Sequence, residues 1–501
     1  MSKVDKYYKE YCEHALKIQE LDSSISLLRW DQETHMPKDG ATFRANQLGM
    51  LSGLKYDWKT ADRYGDLLKS LYESRAELKP EQKFNVEKSF QNFNKTKKYT
   101  KDFVVRESKL VSEAYRAWIE ARSEKKYQLF SNSLKSILDL RREETEILGY
   151  ADKPYDALLN EYEEGMTTAK LDVVFTDVKN KLNPFLKEIA NKPKPENAFM
   201  YGNFPFQKQW DFGLELIKQC GFNFDKGRQD LSVHPFSSSM NPSDVRITTR
   251  VDETNFYFML WSCLHECGHG LYEQGLREEF FGLPMGKSVS LGIHESQSRL
   301  YENNLGRSSE FWSHNYPKLQ SLFKDSFGGV SQDDFYKAIN RVEPSPIRTE
   351  ADELTYHLHI MIRYEIEKKL IHGELDSKDL SEVWNEMYKQ YLNIDIKNDN
   401  EGVLQDIHWS HGSFGYFPTY SLGSFFAAQF YAHAKEELPE FDKNIKTGNL
   451  IPLLEWLNKN VHRHGQRYQA DELCERITGK PLDFDYFMQY AKEKFSSIYN
   501  L

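Results

Sequence analysis

The stretch WSCLHECGHGLYEQG, residues 261–275, decides how the chain is interpreted, because a helical apolar pattern there carries an H-E-x-x-H motif. Residues four apart lie on one face of an α-helix, with Cβ atoms about 5–6 Å apart. His265 and His269 can therefore share one ion, and zinc is readily bound by imidazole nitrogens. Glu266 follows the first histidine directly and is the candidate general base. The alternative is a buried helix whose histidines only make structural hydrogen bonds.

A third ligand has to come from a second helix, since catalytic zinc sites usually combine three protein ligands with one open position. Glu273 continues the same face but lies about 12 Å along the helix from His265, too far to share the ion. The next helical stretch, GKSVSLGIHESQSRLYENNLG, follows a turn with glycine and proline that lets the chain reverse. Glu295 is the predicted ligand. His294 competes with it, and only one of two adjacent helical positions can point at the ion.

Composition and charge exclude several classes of protein. The chain has 501 residues, 39% hydrophobic and 28% charged, which is typical of a folded chain with a large core. Its net charge of −10 comes without a lysine or arginine block, so nucleic acid is not expected as a partner. No apolar stretch matches a signal peptide or a membrane span, which predicts a cytoplasmic protein that does not bind membranes. The five scattered cysteines are expected to be reduced.

The periodicity predicts a mainly α fold with a small β-sheet near the histidine motif. Residues 5–190 carry long amphipathic helical patterns, and NKPKPENAFMYGNFPF at 191–206 is a proline-rich linker. Alternating β-branched residues at 244–251 predict a strand just before the motif. The helical pattern then returns and continues to the end of the chain.

Two histidines, a carboxylate ligand and a neighbouring base favour peptide or amide hydrolysis. The segment GVLQDIHWSHGSFGYFPTYSLGSFF at 402–426 supplies candidate hydrogen-bond donors for the oxyanion, which are His408, His411, Tyr416 and Tyr420. Aromatic packing under a turn is the structural alternative for each of them.

Arg348 lies in SPIRTEADEL at 345–354, just before a predicted helix. A guanidinium binds a carboxylate with two hydrogen bonds, which suits the free C-terminus of a peptide. Asp352 and Glu353 are expected to orient it. A surface ion pair is the alternative.

Taken together, these motifs resemble the carboxypeptidase Taq family of zinc metallocarboxypeptidases. The matching segments are LRWDQETHMP (28–37), HPF (234–236), DVRIT (244–248), HECGH (265–269), HESQ (294–297), IRTEAD (347–352) and GVLQDIHW (402–409). Their order agrees with the family, and the likeness covers nearly the whole chain.

The resemblance implies an α-helical fold with a long active-site groove, a homodimer, and removal of single C-terminal residues from peptides with broad specificity. It implies one zinc ion per subunit, with cobalt as a candidate substitute. The expected organisation is a single peptidase domain over 1–501, with an N-terminal helical lobe (1–190) over the groove and a zinc-binding catalytic lobe (207–501).

Carried over residue by residue, the resemblance makes His265, His269 and Glu295 the metal ligands and Glu266 the catalytic base. Arg348 matches the arginine that holds the terminal carboxylate of the substrate. The remaining candidates are His408 and Tyr420 for the transition state, and His234 and Arg246 for shaping the groove and limiting substrate length. Two other functions stay open, which are an oligoendopeptidase or dipeptidase on the same site and a non-catalytic peptide-binding protein with structural zinc.

Overall fold

The computed structural model describes residues 2–501 and is mainly α-helical, as predicted. In chain order the helices are α1 (Lys3–Thr34), α2 (Ala41–Thr60), α3 (Asp62–Glu73), α4 (Pro80–Thr96), α5 (Lys101–Glu124), α6 (Gln128–Leu148), α7 (Pro154–Tyr162), α8 (Thr168–Ala190), α9 (Phe206–Gln219), α10 (Tyr257–Gly275), α11 (Leu291–Arg299), α12 (Ser309–Leu322), α13 (Lys324–Phe327), α14 (Gln332–Ile339), α15 (Tyr356–His372), α16 (Leu380–Leu392), α17 (Pro418–Glu437), α18 (Phe441–Lys446), α19 (Ile451–Asn460), α20 (Ala470–Thr478) and α21 (Phe484–Tyr499). Over residues 2–501, none of them has both the length and the apolar composition that a membrane crossing requires.

A small three-stranded sheet precedes α10, and this also agrees with the prediction. Its strands are β1 (Gly227–Leu231), β2 (Ser237–Asn241) and β3 (Asp244–Thr249). The central strand β3 pairs in parallel with β1 and antiparallel with β2. The hydroxyls of Thr249 and Ser262 lie 2.7 Å apart, so the end of β3 is bonded directly to the second turn of α10.

The chain forms two compact units, each assembled from separate stretches. The first unit runs up to Lys97 and includes Glu196–Tyr336 and Phe426–Leu482, and the second consists of Lys98–Pro195, Lys337–Phe425 and Asp483–Leu501. The H-E-x-x-H motif lies in the first unit, and the IRTEAD and QDIHW segments lie in the second. The predicted lobes 1–190 and 207–501 stay a prediction.

Helix α1 contributes an apolar stripe to the core of the first unit. It begins with a capping box, in which the Ser2 hydroxyl accepts from the Asp5 backbone N–H and the Asp5 carboxylate accepts from the Ser2 N–H. Buried residues then recur at helical spacing along one face. The core cluster contains Tyr11, Ala15, Ile18, Tyr64, Leu67, Leu68, Leu71, Val86 and Leu283.

Candidate functional site

Helix α10 places His265 and His269 one turn apart, with ring centroids 5.0 Å from each other. Helix α11 runs back against α10 and brings in the buried Glu295. Its Oε2 lies 3.7 Å from His265 Nε2 and 3.5 Å from His269 Nε2. One ligand atom from each residue lies within 4.8 Å of the other two. The predicted meeting of these three side chains is therefore present in the structure.

A glycine allows the two helices to approach so closely. A Cβ atom at Gly268 would lie 2.3 Å from the carbonyl oxygen of Gln297 and 2.6 Å from Ser298 Cα. No larger residue fits without moving one of the backbones. The entry to α11 is fixed as well, because the Tyr272 hydroxyl accepts from the Val289 N–H at 3.0 Å.

His265 is oriented by a second carboxylate. Its Nδ1 lies 2.8 Å from Glu302, which belongs to a π-helical stretch, Leu300–Leu305, that directly continues α11. Such wide turns are frequent at functional sites. With Nδ1 donating to Glu302, the Nε2 lone pair is left on the side of Glu295. Burial disfavours the charge on His265, but the carboxylates of Glu295 and Glu302 more than offset this and raise its pKa to about 9.

His269 is oriented by a histidine instead. Its Nδ1 lies 2.6 Å from His294 Nδ1, and His294 Nε2 lies 2.9 Å from the Glu273 carboxylate. If His294 donates to Glu273, its Nδ1 accepts from His269, and His269 Nε2 carries a lone pair. Burial, helped by the nearby His294, lowers the pKa of His269 to about 4, so this ring is neutral. Of the two adjacent candidates, Glu295 reaches the imidazoles and His294 lies behind His269.

The charges of this cluster fit a divalent cation. They are carried by Glu266, Glu273, Glu295, Glu302, Arg299 and Arg307. When all four carboxylates are ionised and both imidazoles are neutral, which is the state that a bound cation favours, the two guanidinium groups leave two negative charges uncompensated. Burial opposes ionisation of Glu295, but Arg299 and the two imidazoles more than offset it and hold its pKa well below the usual range. Two imidazole nitrogens and one carboxylate oxygen form a donor set that zinc-type ions prefer.

His234 and Arg246 lie elsewhere in the first unit. His234 is exposed in the loop between β1 and β2. Arg246 is on β3, where it forms an ion pair with Asp244 (2.8 Å) and stacks over the Trp30 ring at 4.3 Å. These contacts give Arg246 a structural role, and substrate binding by either residue stays a prediction.

Arg348 is buried in the second unit, and the prediction that Asp352 and Glu353 orient it is wrong. Its Nε donates to Asp406 at 3.0 Å and its Nη1 to the Tyr356 hydroxyl at 3.1 Å. Asp352 instead accepts backbone N–H groups at the start of α15, and Glu353 pairs with Lys494. Asp352 and Glu353 therefore satisfy local backbone and lysine donors, which leaves Asp406 to orient Arg348.

His408 and Tyr420 meet in the second unit, with His408 Nε2 3.3 Å from the tyrosine hydroxyl. The other nitrogen of His408, Nδ1, is buried without a hydrogen-bond partner. Burial lowers the pKa of His408 to about 3, so the ring is neutral. His411 is exposed, and its ring lies 5.3 Å from the ring of Tyr115 at a tilt of 43°. This geometry favours His408 over His411 as a functional residue.

Two residues that orient the candidate side chains, Glu302 and Asp406, were not predicted from the sequence. Glu302 had a weak signal, because it lies seven positions after Glu295 and therefore on nearly the same helical face. Asp406 lies within the GVLQDIHW segment, but its pairing with Arg348 had no local signal, since the two residues are 58 positions apart along the chain.

Comparison with known proteins identifies the family. The carboxypeptidase Taq (M32) metallopeptidase model matches residues 10–495. The chain is 39% identical over 503 residues to Carboxypeptidase 1 of Bacillus subtilis (strain 168), covering 99% of this chain and 100% of that protein. It is also 39% identical over 504 residues to Thermostable carboxypeptidase 1 of Thermus thermophilus, covering 98% and 99%. An M32 carboxypeptidase from Deinococcus radiodurans R1 has a crystal structure that matches with a TM-score of 0.97 and 37% identity, covering 99% of this chain and 100% of that one. The chain belongs to the carboxypeptidase Taq family of metallopeptidases.

Proposed function

We propose that this metallocarboxypeptidase uses zinc and removes single residues from the C-terminus of peptides with broad specificity. Family membership already makes the chain a peptide hydrolase with a divalent metal ion. The proposal of a zinc site rests on one observation. The Nε2 atoms of His265 and His269 and a carboxylate oxygen of Glu295 lie close enough together to bind one ion.

In this proposal His265, His269 and Glu295 hold one zinc ion per subunit, and cobalt is the candidate substitute. The donor set supports zinc, since the two imidazoles keep a lone pair on Nε2 while Glu302 and His294 occupy Nδ1. When bound, the ion would polarise the scissile carbonyl and acidify a water molecule.

Glu266 acts as the general base in this proposal. It is buried beside His265, and burial, reinforced by Glu295 and opposed by His265, raises its pKa to about 7. A carboxyl group that titrates near neutral pH can take a proton from the attacking water and pass it to the leaving amine. A bound cation would lower this pKa again and favour the basic form.

Arg348 binds the terminal carboxylate of the peptide. Its guanidinium is buried, is oriented by Asp406, and lies 5.0 Å from the centre of the Tyr420 ring. Not all of its N–H donors are used by Asp406 and Tyr356, so a substrate carboxylate can still be bound.

His408 and Tyr420 stabilise the transition state in this proposal. The unpartnered Nδ1 of His408 supports contact with a bound molecule, since buried polar atoms are normally hydrogen-bonded. His234 and Arg246 are assigned to the groove that receives the rest of the peptide. Arg246→Ala is expected to change the preference between short and long peptides, and an unchanged preference would remove Arg246 from the proposal.

We also propose a homodimer located in the cytoplasm. The family resemblance supports the dimer, and the charge pattern without long apolar segments supports the location. Light scattering of the purified protein and fractionation of cells test these two points.

A pair of peptides tests the activity. The metal-loaded enzyme is incubated with a peptide that has a free C-terminus and with its C-terminally amidated twin, with and without a chelator, and released masses are followed over time. The proposal predicts a ladder of single-residue losses from the free peptide alone, abolished by chelation. Cleavage of both peptides at internal bonds would instead indicate the endopeptidase alternative.

A further inference from the structure

The second unit contains two buried guanidinium groups around one carboxylate. Asp406 Oδ1 accepts from Arg348 Nε at 3.0 Å, and its Oδ2 accepts from Arg363 Nε at 2.7 Å. All three side chains are buried, and Arg363 has no exposed surface. Within residues 2–501 no other carboxylate lies in ion-pair distance of either guanidinium.

Neighbouring groups do not balance the second cation. Glu367, one turn beyond Arg363 on α15, is held by a tyrosine hydroxyl, an indole N–H and a backbone N–H. Burial raises its pKa to about 7, so it is only partly charged near neutral pH. Burial also keeps the pKa values of His359 and His408 low, and both rings are neutral. Arg348, Arg363 and Asp406 together therefore carry one net positive charge, which the partly charged Glu367 offsets only in part.

A glutamine links the two arginines further. Gln405 Oε1 accepts from the backbone N–H of Arg348 at 2.9 Å and from Arg363 Nη2 at 2.8 Å. The Tyr388 hydroxyl lies 3.2 Å from Arg363 Nη1. The position of Arg348 is therefore coupled to that of Arg363 through both Asp406 and Gln405.

We infer that Arg363 and Asp406 are positioning residues that set the charge of the carboxylate-binding site. Asp406 holds the Arg348 fork and cancels one of the two cations, and the remaining cation is balanced by the carboxylate of the substrate. An uncompensated buried charge is costly, so a monoanion is favoured in this cluster. The inference rests on the proposed role of Arg348.

Removing Arg363 should weaken carboxylate binding although this residue lies behind Arg348. Without Arg363, Asp406 neutralises Arg348 and the cluster has no net charge. Replacing Asp406 by a neutral residue at the same time returns the net charge to its native value. A purely structural role of Arg363 predicts no such rescue.

The test uses the full-length, metal-loaded enzyme and N-acetylphenylalanine, with its amide as the uncharged probe. Arg363→Met is expected to raise the inhibition constant of the acid and the KM of a free peptide at least about tenfold, with a smaller change in kcat. Arg363→Lys and the double variant Arg363→Met/Asp406→Asn keep the net charge of the cluster. Their inhibition constants for the acid are expected to stay within about tenfold of the native value. The amide is expected to bind equally to all of them. Arg116→Met, an exposed arginine of the same unit, is the matched control.

Arg348→Met separates the inference from the proposed function. If Arg348→Met leaves acid binding unchanged, the proposed carboxylate role of Arg348 fails. If Arg348→Met weakens acid binding but Arg363→Met does not, or the double variant binds no better than Arg363→Met, only the inference is overturned. Should Arg363→Met not fold, the lysine and double variants still decide, because loss of acid binding in either would contradict the charge argument.

Discussion

His265 and His269 each keep one ring nitrogen for the ion because the other is already hydrogen-bonded. The partners differ, since His265 bonds the Glu302 carboxylate directly and His269 reaches Glu273 through His294. Replacing such a hydrogen-bond partner of a metal ligand commonly lowers metal affinity by about tenfold to hundredfold.

Glu266→Gln tests the proposed base. The amide has the same shape but cannot accept a proton, so kcat is expected to fall by about a thousandfold or more. Zinc content should stay at the native level, because Glu266 is not one of the three proposed metal ligands. Metal analysis and steady-state kinetics check both points, and a variant with native turnover would exclude Glu266 as base.

The raised pKa of His265 predicts a pH-dependent zinc affinity. A protonated imidazole cannot bind metal, so below about pH 9 the ion has to displace a proton. Affinity should therefore fall about tenfold for each unit of pH lost. Glu302→Gln removes one of the carboxylates that raise this pKa, so proton competition should weaken and the affinity should fall less steeply as the pH drops. At high pH, where proton competition is absent, the variant should bind zinc more weakly, because the Glu302 carboxylate that orients His265 is lost. Chelator competition between about pH 6 and 8 measures both slopes, and equal slopes would contradict the role of Glu302.

Single residues were predictable where the signal is local. The spacing of His265 and His269 and the proximity of Glu266 follow from helix geometry alone. The partner of Arg348 could not be predicted in this way. Asp352 and Glu353 are near it in sequence, whereas Asp406 becomes its neighbour only through tertiary folding.

Among the elements, α10 and β3 were predicted from periodicity, and the turn before α11 from its glycines and proline. The strand order β1-β3-β2 and the π-helical stretch Leu300–Leu305 were not predicted from the sequence. Strand order depends on long-range pairing, and a π turn has no distinctive local composition. The position of Glu302 therefore needed the structure.

Gly268→Ala tests the contact between α10 and α11. The added Cβ would overlap the backbone at Gln297 and Ser298, so the helices must separate. A loss of about 1–3 kcal/mol in the free energy of unfolding is expected, together with weaker zinc binding. Gly53→Ala in α2 is the matched control, because its Cβ meets no atom and alanine favours helix by about 1 kcal/mol. If both variants behave alike, the close approach at Gly268 has no energetic importance.

At the scale of the whole molecule, metal removal is expected to destabilise the protein. Without the ion, the folded state loses a ligand that the unfolded chain cannot bind in the same way, because His265, His269 and Glu295 come together only in the fold. Free zinc at about a hundred times Kd should stabilise the protein by about 2.7 kcal/mol. Thermal unfolding with and without chelator measures this stabilisation as a change in Tm. Gly53→Ala is expected to show the same change in Tm as the native protein. An unchanged Tm would mean that the ion contributes nothing to the fold.

Anomalous diffraction at the zinc edge, on crystals grown with zinc, tests the proposed centre most directly. We predict one strong peak per subunit, within bonding distance of His265 Nε2, His269 Nε2 and a Glu295 oxygen, with a further position open to solvent or substrate. A peak bonded to a different set of side chains, or no peak in active protein, would contradict the proposed metal centre.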